Sequence, residues 1–322
     1  MKSEFCISVH QLLPILQREG IDTDLVGSPE ARITHMRSLE EADPGCITFF
    51  IGEESGKVAH LKECVLVCLP GVVASPSVTR IMTKCPKLAF YIAAQEFGPP
   101  LPSPGVHFSA LVDDAASIHA SASIGEYTVI GKCVVSKGAV IHAHVHLCDR
   151  TVVGERSTVE SGTCIGVTGQ IWAWGLDGKR WVLPQIGGVK IGERCFIGSN
   201  ISIARGALQD TVIGNGVRIS HGTMIGHNCS VGRETFLSNR VALTGSVTLG
   251  DHCFVGSGAV LAPGVVIGDR ISIGAGAVVT KSFREQGAVL AGVPAEFKKM
   301  IKNGGRIAGI PAMPASNHNR DP

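Results

Sequence analysis

The chain has 322 residues, 44% of them apolar and 40 of them glycine, with a formal net charge of +2. That apolar share excludes a disordered chain, and the glycine count is far below the one in three of a collagen. A charge so near zero gives no field for nucleic acid, and no apolar run approaches the ~18 residues of a membrane span. The start, Met1 to His10, lacks the apolar stretch of a secretion signal. With eleven unpatterned cysteines, this points to reduced thiols and a cytoplasmic protein. Residues 1–105 read as a small α/β domain. Ser8 and Gln11 form a capping box, and Val9, Leu12, Leu13 and Leu16 then share one helical face ending at Gly20. Residues 46–51 and 64–69 read as strands, with Cys64 and Cys68 as small buried side chains, and residues 87–97 as a second helix. Four prolines between Gly98 and Gly105 mark a linker.

Beyond the linker a repeat begins. Branched apolar residues recur every six positions at Val106, Val112, Ile118, Ile124 and Ile130, and then from Val135 to Ile165. They return at Ile191, Ile197 and Ile203, and run unbroken through twelve positions from Ile213 to Val279. Glycine often follows directly, as in Ile124-Gly, Ile225-Gly and Val255-Gly. A period of six is neither helical nor alternating. It suits a solenoid of short straight segments, each pointing one apolar side chain inward, with glycine supplying corner backbone angles. Three segments make an 18-residue coil, and stacked coils sit ~4.8 Å apart.

The interruption from Gly166 to Gly188 holds all three tryptophans, Trp172, Trp174 and Trp181. Such an insertion must leave the stack as a loop, lining a substrate cleft or clamping a neighbouring subunit. His221 and His227 fall one repeat apart. A histidine near pKa ~6.5 suits the removal of a proton from an attacking amine or hydroxyl. Gly245 lies 18 residues after His227, so it should fall one coil further at the same place, where its N–H could hold an oxyanion. His142, His144 and His146 alternate, which on one strand gives a shared face. Without an acidic or cysteine partner in sequence they read as an exposed or subunit-contact face, with no metal site.

These tandem [LIV]-G-x-x-x-x units resemble the hexapeptide acyltransferases. The resemblance implies a mainly β protein, a left-handed parallel β-helix over 106–285, working as a homotrimer with active sites between subunits. Residues 27–62, the segment Asp177-Gly-Lys-Arg-Trp-Val-Leu-Pro-Gln-Ile-Gly187 and the segment Arg205-Gly-Ala-Leu-Gln-Asp-Thr211 are similar to the UDP-3-O-acylglucosamine N-acyltransferases of lipid A synthesis. This implies an N-terminal nucleotide-sugar domain, and transfer of an acyl group from a thioester to the amine of a UDP-glucosamine derivative. His227 falls at the catalytic histidine and Gly245 at the oxyanion donor. Substrate contacts fall to Phe49 or Phe50, Trp181, Gln185, Arg205, His221 and Asn239. The donor is the phosphopantetheine of an acyl carrier protein or an acyl-CoA. The chain departs from that family at Ala204, where an aspartate is expected, and at Leu261–Gly264, which has no second histidine. No tyrosine follows Phe50 to complete the family's uracil-holding aromatic pair.

The segments 273–281 and 289–295 instead resemble acetyl-CoA-dependent sugar acetyltransferases, which implies donor contacts at Gly256, Gly274 and Lys281. An acetyl-CoA-dependent transferase on a nucleotide sugar is therefore the alternative, and a non-catalytic β-helix binding module a second one. Residues 286–322 are expected to form a turn, a short helix and a flexible tail.

Overall fold

The structure, a computed structural model, describes residues 6–98 and 101–300. Its contacts divide the chain into two units, 1–101 and 102–322. In the first unit, helix α1 (Val9–Arg18) starts at the capping box: Ser8 Oγ accepts the Gln11 N–H, and the Gln11 side chain accepts the Ser8 N–H. Helix α2 (Pro86–Gln95) starts with proline in its first turn, where no N–H is needed. Five strands form one sheet in the order 24–26, 79–82, 65–68, 46–50 and 35–36, parallel except for the first pair. Alternation along strand Cys46–Phe50 divides its side chains between two cores. Ile47 and Phe49 pack with the helices, whereas Cys46 and Phe50 pack on the opposite face with Leu61 and Leu66. Cys64 and Cys68 are buried.

The second unit is the solenoid. Strands of two to four residues stack in parallel into three long sheets. Pairs such as Ile219↔Leu237, Ile225↔Leu243 and Val231↔Leu249 set the coil at 18 residues, as the period requires. From Ile124 to Val279 the inward positions are at most 4% exposed and form one continuous core. Each side chain removed from water there contributes ~1.5–3 kcal/mol. Val106 and Val112 are exposed, because they lie on the first coil of the stack.

The glycines have a different cause from the one expected. Apart from Gly166 (φ 89°), those directly after an inward residue do not have positive φ. They are glycine because the next coil passes too close: a methyl on Gly154 would lie 2.3 Å from the Gly192 carbonyl oxygen. The left-handed corner residue falls two places later. There glycine (Gly222, φ 70°) alternates with asparagine, arginine and other residues, among them Asn228 (φ 58°). Of the three alternating histidines, only His146 lies in a strand. His142 follows a strand end and lies 3.7 Å from Glu160, and His144 occupies a left-handed corner (φ 58°) stacked on Tyr127. They do not share a face, because a corner interrupts the alternation.

The short helix expected in the C-terminal segment is a strand instead. Glu296–Met300 runs antiparallel to Ala288–Ala291, turning back through Gly292-Val-Pro-Ala295. The reason is the open edge at the last coil, which offers backbone hydrogen bonds. A helix here would have had little to bury, since Phe297 and Met300 stay about half exposed even in the strand. The expected tail lies outside the described residues.

Candidate active site

His227 lies two residues past inward Ile225, at the corner following strand Met224–Ile225. Its neighbour Asn228 is fixed from three sides. Asn228 N–H donates to Thr211 Oγ1 at 2.9 Å, and its Oδ1 accepts the Ala207 N–H at 3.1 Å. The same Oδ1 lies 3.1 Å from His227 Nδ1. An atom that accepts a backbone N–H must be the amide oxygen, so Nδ1 is the donor in this contact. The neutral ring then carries its proton on Nδ1 and its lone pair on Nε2.

Gly245 occupies the equivalent place one coil on, through Ile225↔Leu243. A methyl added to it would sit 2.6 Å from both Nε2 and Cε1 of His227, so the imidazole lies directly over a position that only glycine leaves open. The Gly245 N–H donates to no other group among the described residues. The next place in the same stack, paired through Leu243↔Leu261, is Pro263, which offers neither an imidazole nor an N–H.

The insertion returns to the same histidine. Its two ends close through Gln185, which is 8% exposed and accepts the Gly169 N–H at 2.7 Å through Oε1. Gln185 Nε2 is left buried without a partner. A methyl on Gly169 would touch both the Gln185 amide (3.1 Å) and His227 Cδ2 (3.3 Å). Beyond this neck the insertion is a hairpin of Trp172–Trp174 and Arg180–Val182. Its tryptophans are largely exposed, with Arg180 5.0 Å from the rings of Trp172 and Trp174 and Lys179 over Trp181. At the base, Asp210 accepts the Gly188 N–H at 2.7 Å and pairs with Lys190 at 2.8 Å. The Lys190 ammonium and the Gly188 N–H hold the Asp210 carboxyl below its ordinary pKa.

Arg205 is one coil before His227, through Ile203↔Ile225. Its Nε donates to Gly166 O at 3.1 Å and its Nη2 to Asp149 O. Thus His227, Gly245, Gln185 and Arg205 are gathered along one edge of the solenoid. The other expected residues are elsewhere. His221 and Asn239 stack at the corner of a different sheet, where His221 Nδ1 accepts the Ser199 N–H. Gly256 and Gly274 continue that second stack, each closely covered by the next coil. Lys281 shares the His227 edge two coils beyond Gly245, with its ammonium 5.6 Å from the Phe283 ring. Phe49 and Phe50 point to opposite faces of their sheet, so one site cannot use both; Phe49 lies 4.7 Å from Phe90 and 6.4 Å from half-exposed Tyr91.

Comparison with known proteins bears on the family and the fold. Residues 246–281 match the bacterial transferase hexapeptide model, and residues 188–233 the hexapeptide repeat of succinyl-transferase. A UDP-3-O-acylglucosamine N-acyltransferase of Coxiella burnetii is 33% identical over 252 residues, covering 70% of this chain and 72% of that one. The chain belongs to the UDP-3-O-acylglucosamine N-acyltransferase family. A relative of the same name from Pseudomonas fluorescens is 31% identical, covering 71% of each chain. The crystal structure of a UDP-N-acetylglucosamine O-acyltransferase from Moraxella catarrhalis has the same parallel β-helix, with a TM-score of 0.56 at 24% identity over 62% of this chain and 76% of that one. This chain is therefore an acyltransferase of the lipid A type, built on hexapeptide repeats.

Proposed function

We propose that the protein moves an acyl group from a thioester to the amine of a UDP-glucosamine derivative, with His227 as the general base. The observation that carries this reading is the Asn228–His227–Gly245 arrangement. Asn228 Oδ1 holds the Nδ1 proton, so Nε2 is free to take a proton from the attacking amine. The nitrogen then bonds to the thioester carbon. The Gly245 N–H stabilises the resulting oxyanion, and the carbon–sulfur bond breaks as the thiol leaves with the proton returned by His227. Asn228 is a positioning residue in this scheme. Gln185 has a spare donor beside the ring, and Trp181 and the hairpin border the acceptor. The N-terminal unit holds the nucleotide, with Phe49 on its helical face. The donor is an acyl carrier protein's phosphopantetheine or an acyl-CoA, and the working form is a homotrimer.

The alternative, an acetyl-CoA-dependent transferase, draws on one observation: the chain ends its solenoid in the Ala288–Met300 hairpin around Gly292-Val-Pro-Ala295. A single assay separates the two. The purified chain is incubated with a UDP-3-O-acylglucosamine and either a hydroxyacyl carrier protein or acetyl-CoA, and the product is weighed by mass spectrometry. An amide product with the carrier protein is expected; product with acetyl-CoA alone would favour the alternative.

A further inference from the structure

We infer that the cavity around Arg205 seats the diphosphate of the nucleotide-sugar acceptor, with the Arg205 guanidinium as its principal ligand. This rests on the acceptor reading above and assigns one piece of that acceptor to one place in the fold.

Arg205 departs from an ordinary surface arginine in three respects. It is half-buried and lines a cavity of about 300 Å³. Its guanidinium is fixed by main-chain carbonyls, through Nε to Gly166 and Nη2 to Asp149, so its orientation is set before any ligand arrives. No carboxylate pairs with it among the described residues. One acidic residue, Asp149, lines the same cavity, and its Oδ1 accepts the Lys132 N–H at 2.9 Å. A partly desolvated guanidinium without a counter-ion, with its Nη1 edge free, is built for an anion, and its planar fork suits phosphate oxygens. His146 and Thr168 line the same cavity and add polar groups without adding negative charge.

The spacing along the solenoid fits as well. The guanidinium reaches back from its own coil to the two preceding ones on this edge, which lie two and three coils before His227. At ~4.8 Å per coil this is roughly 10–14 Å from the base. In a UDP-glucosamine the amine is on C2 and the diphosphate on the adjacent C1. About six single bonds separate the nitrogen from the farther phosphorus, and with a hydrogen bond at each end the reach is on the order of 13 Å. An acceptor lying along the edge, amine at His227, therefore brings its diphosphate to Arg205. The insertion neck, Gly169 and Gln185, lies against the His227 ring.

The test is calorimetric titration of the full chain with UDP and with uridine. For the wild type, UDP should bind at least about tenfold more tightly than uridine, the size expected of charge-assisted hydrogen bonds. In Arg205→Gln that preference should shrink to about twofold or less, with uridine affinity unchanged. A variant that keeps the full preference overturns the assignment and leaves the acceptor reading intact. A wild type that binds neither probe overturns the acceptor reading, and the assignment with it. Should Arg205→Gln fail to fold, amide exchange on the wild type decides: UDP should protect 164–168 more than uridine does at equal saturation, and equal protection overturns the assignment.

Discussion

At the scale of the residue, the chemistry turns on which atom faces which. The stacking of Gly245 on His227 is legible in the sequence, because their spacing is simple arithmetic on an 18-residue period. Asn228 was not singled out, although its signal was present: an asparagine at a left-handed corner, directly after the base. Besides its chain neighbour His227, its role needs Thr211 and Ala207, which only folding brings to it. Gly169 was missed for a similar reason, since a loop's neck cannot be placed by periodicity. The Gly245 contact makes a sharp prediction. Gly245→Ala adds a methyl 2.6 Å from Nε2, so the ring must turn away from its working position. We expect turnover to fall by about tenfold or more, as misplacement of a reacting group does, with the thermal transition within a few degrees of the wild type. Steady-state assay and melting of the same preparation check both halves.

At the scale of the element, the solenoid was readable because one inward residue in six is a strict demand. The glycine explanation drawn from sequence was partly wrong, since composition cannot separate a glycine needed for φ from one needed for room. Gly154 is the second kind and Gly222 the first. The C-terminal strand was missed because local pattern does not reveal an open sheet edge that will take Glu296–Met300. The insertion neck carries the second prediction. The Asp210 carboxyl titrates below its unfolded value, so its ties to Lys190 and Gly188 add stability at pH values above the unfolded pKa of ~3.9. That contribution is lost as pH falls through the folded pKa. Asp210→Asn should therefore lower the melting temperature at pH 7 and narrow its gap to the wild type as pH falls below about 4. A gap that stays constant down to pH 3 would contradict the ionic role.

At the scale of the whole molecule, the residues proposed for the reaction are divided between two corner stacks. His227, Gly245, Arg205 and Lys281 lie on one edge, while His221, Asn239, Gly256 and Gly274 lie on another. A single β-helix keeps such edges apart, so a site that uses both needs the edge of one copy against the edge of the next. The outward side chains of the second sheet, Phe196, Phe236 and Phe254, are only partly covered, and Phe236 stacks on Phe254 at 5.6 Å. We expect light scattering to give three times the 33.7 kDa chain mass at micromolar concentration, and a monomer would remove the second edge from the site. The most direct measurement is the rate of amide formation on a UDP-3-O-acylglucosamine by wild type and His227→Ala, each shown to be folded. Loss of a positioned general base predicts a turnover at least about 10²-fold lower in the variant. Turnover within a few-fold of the wild type would contradict the assignment of His227 as the base.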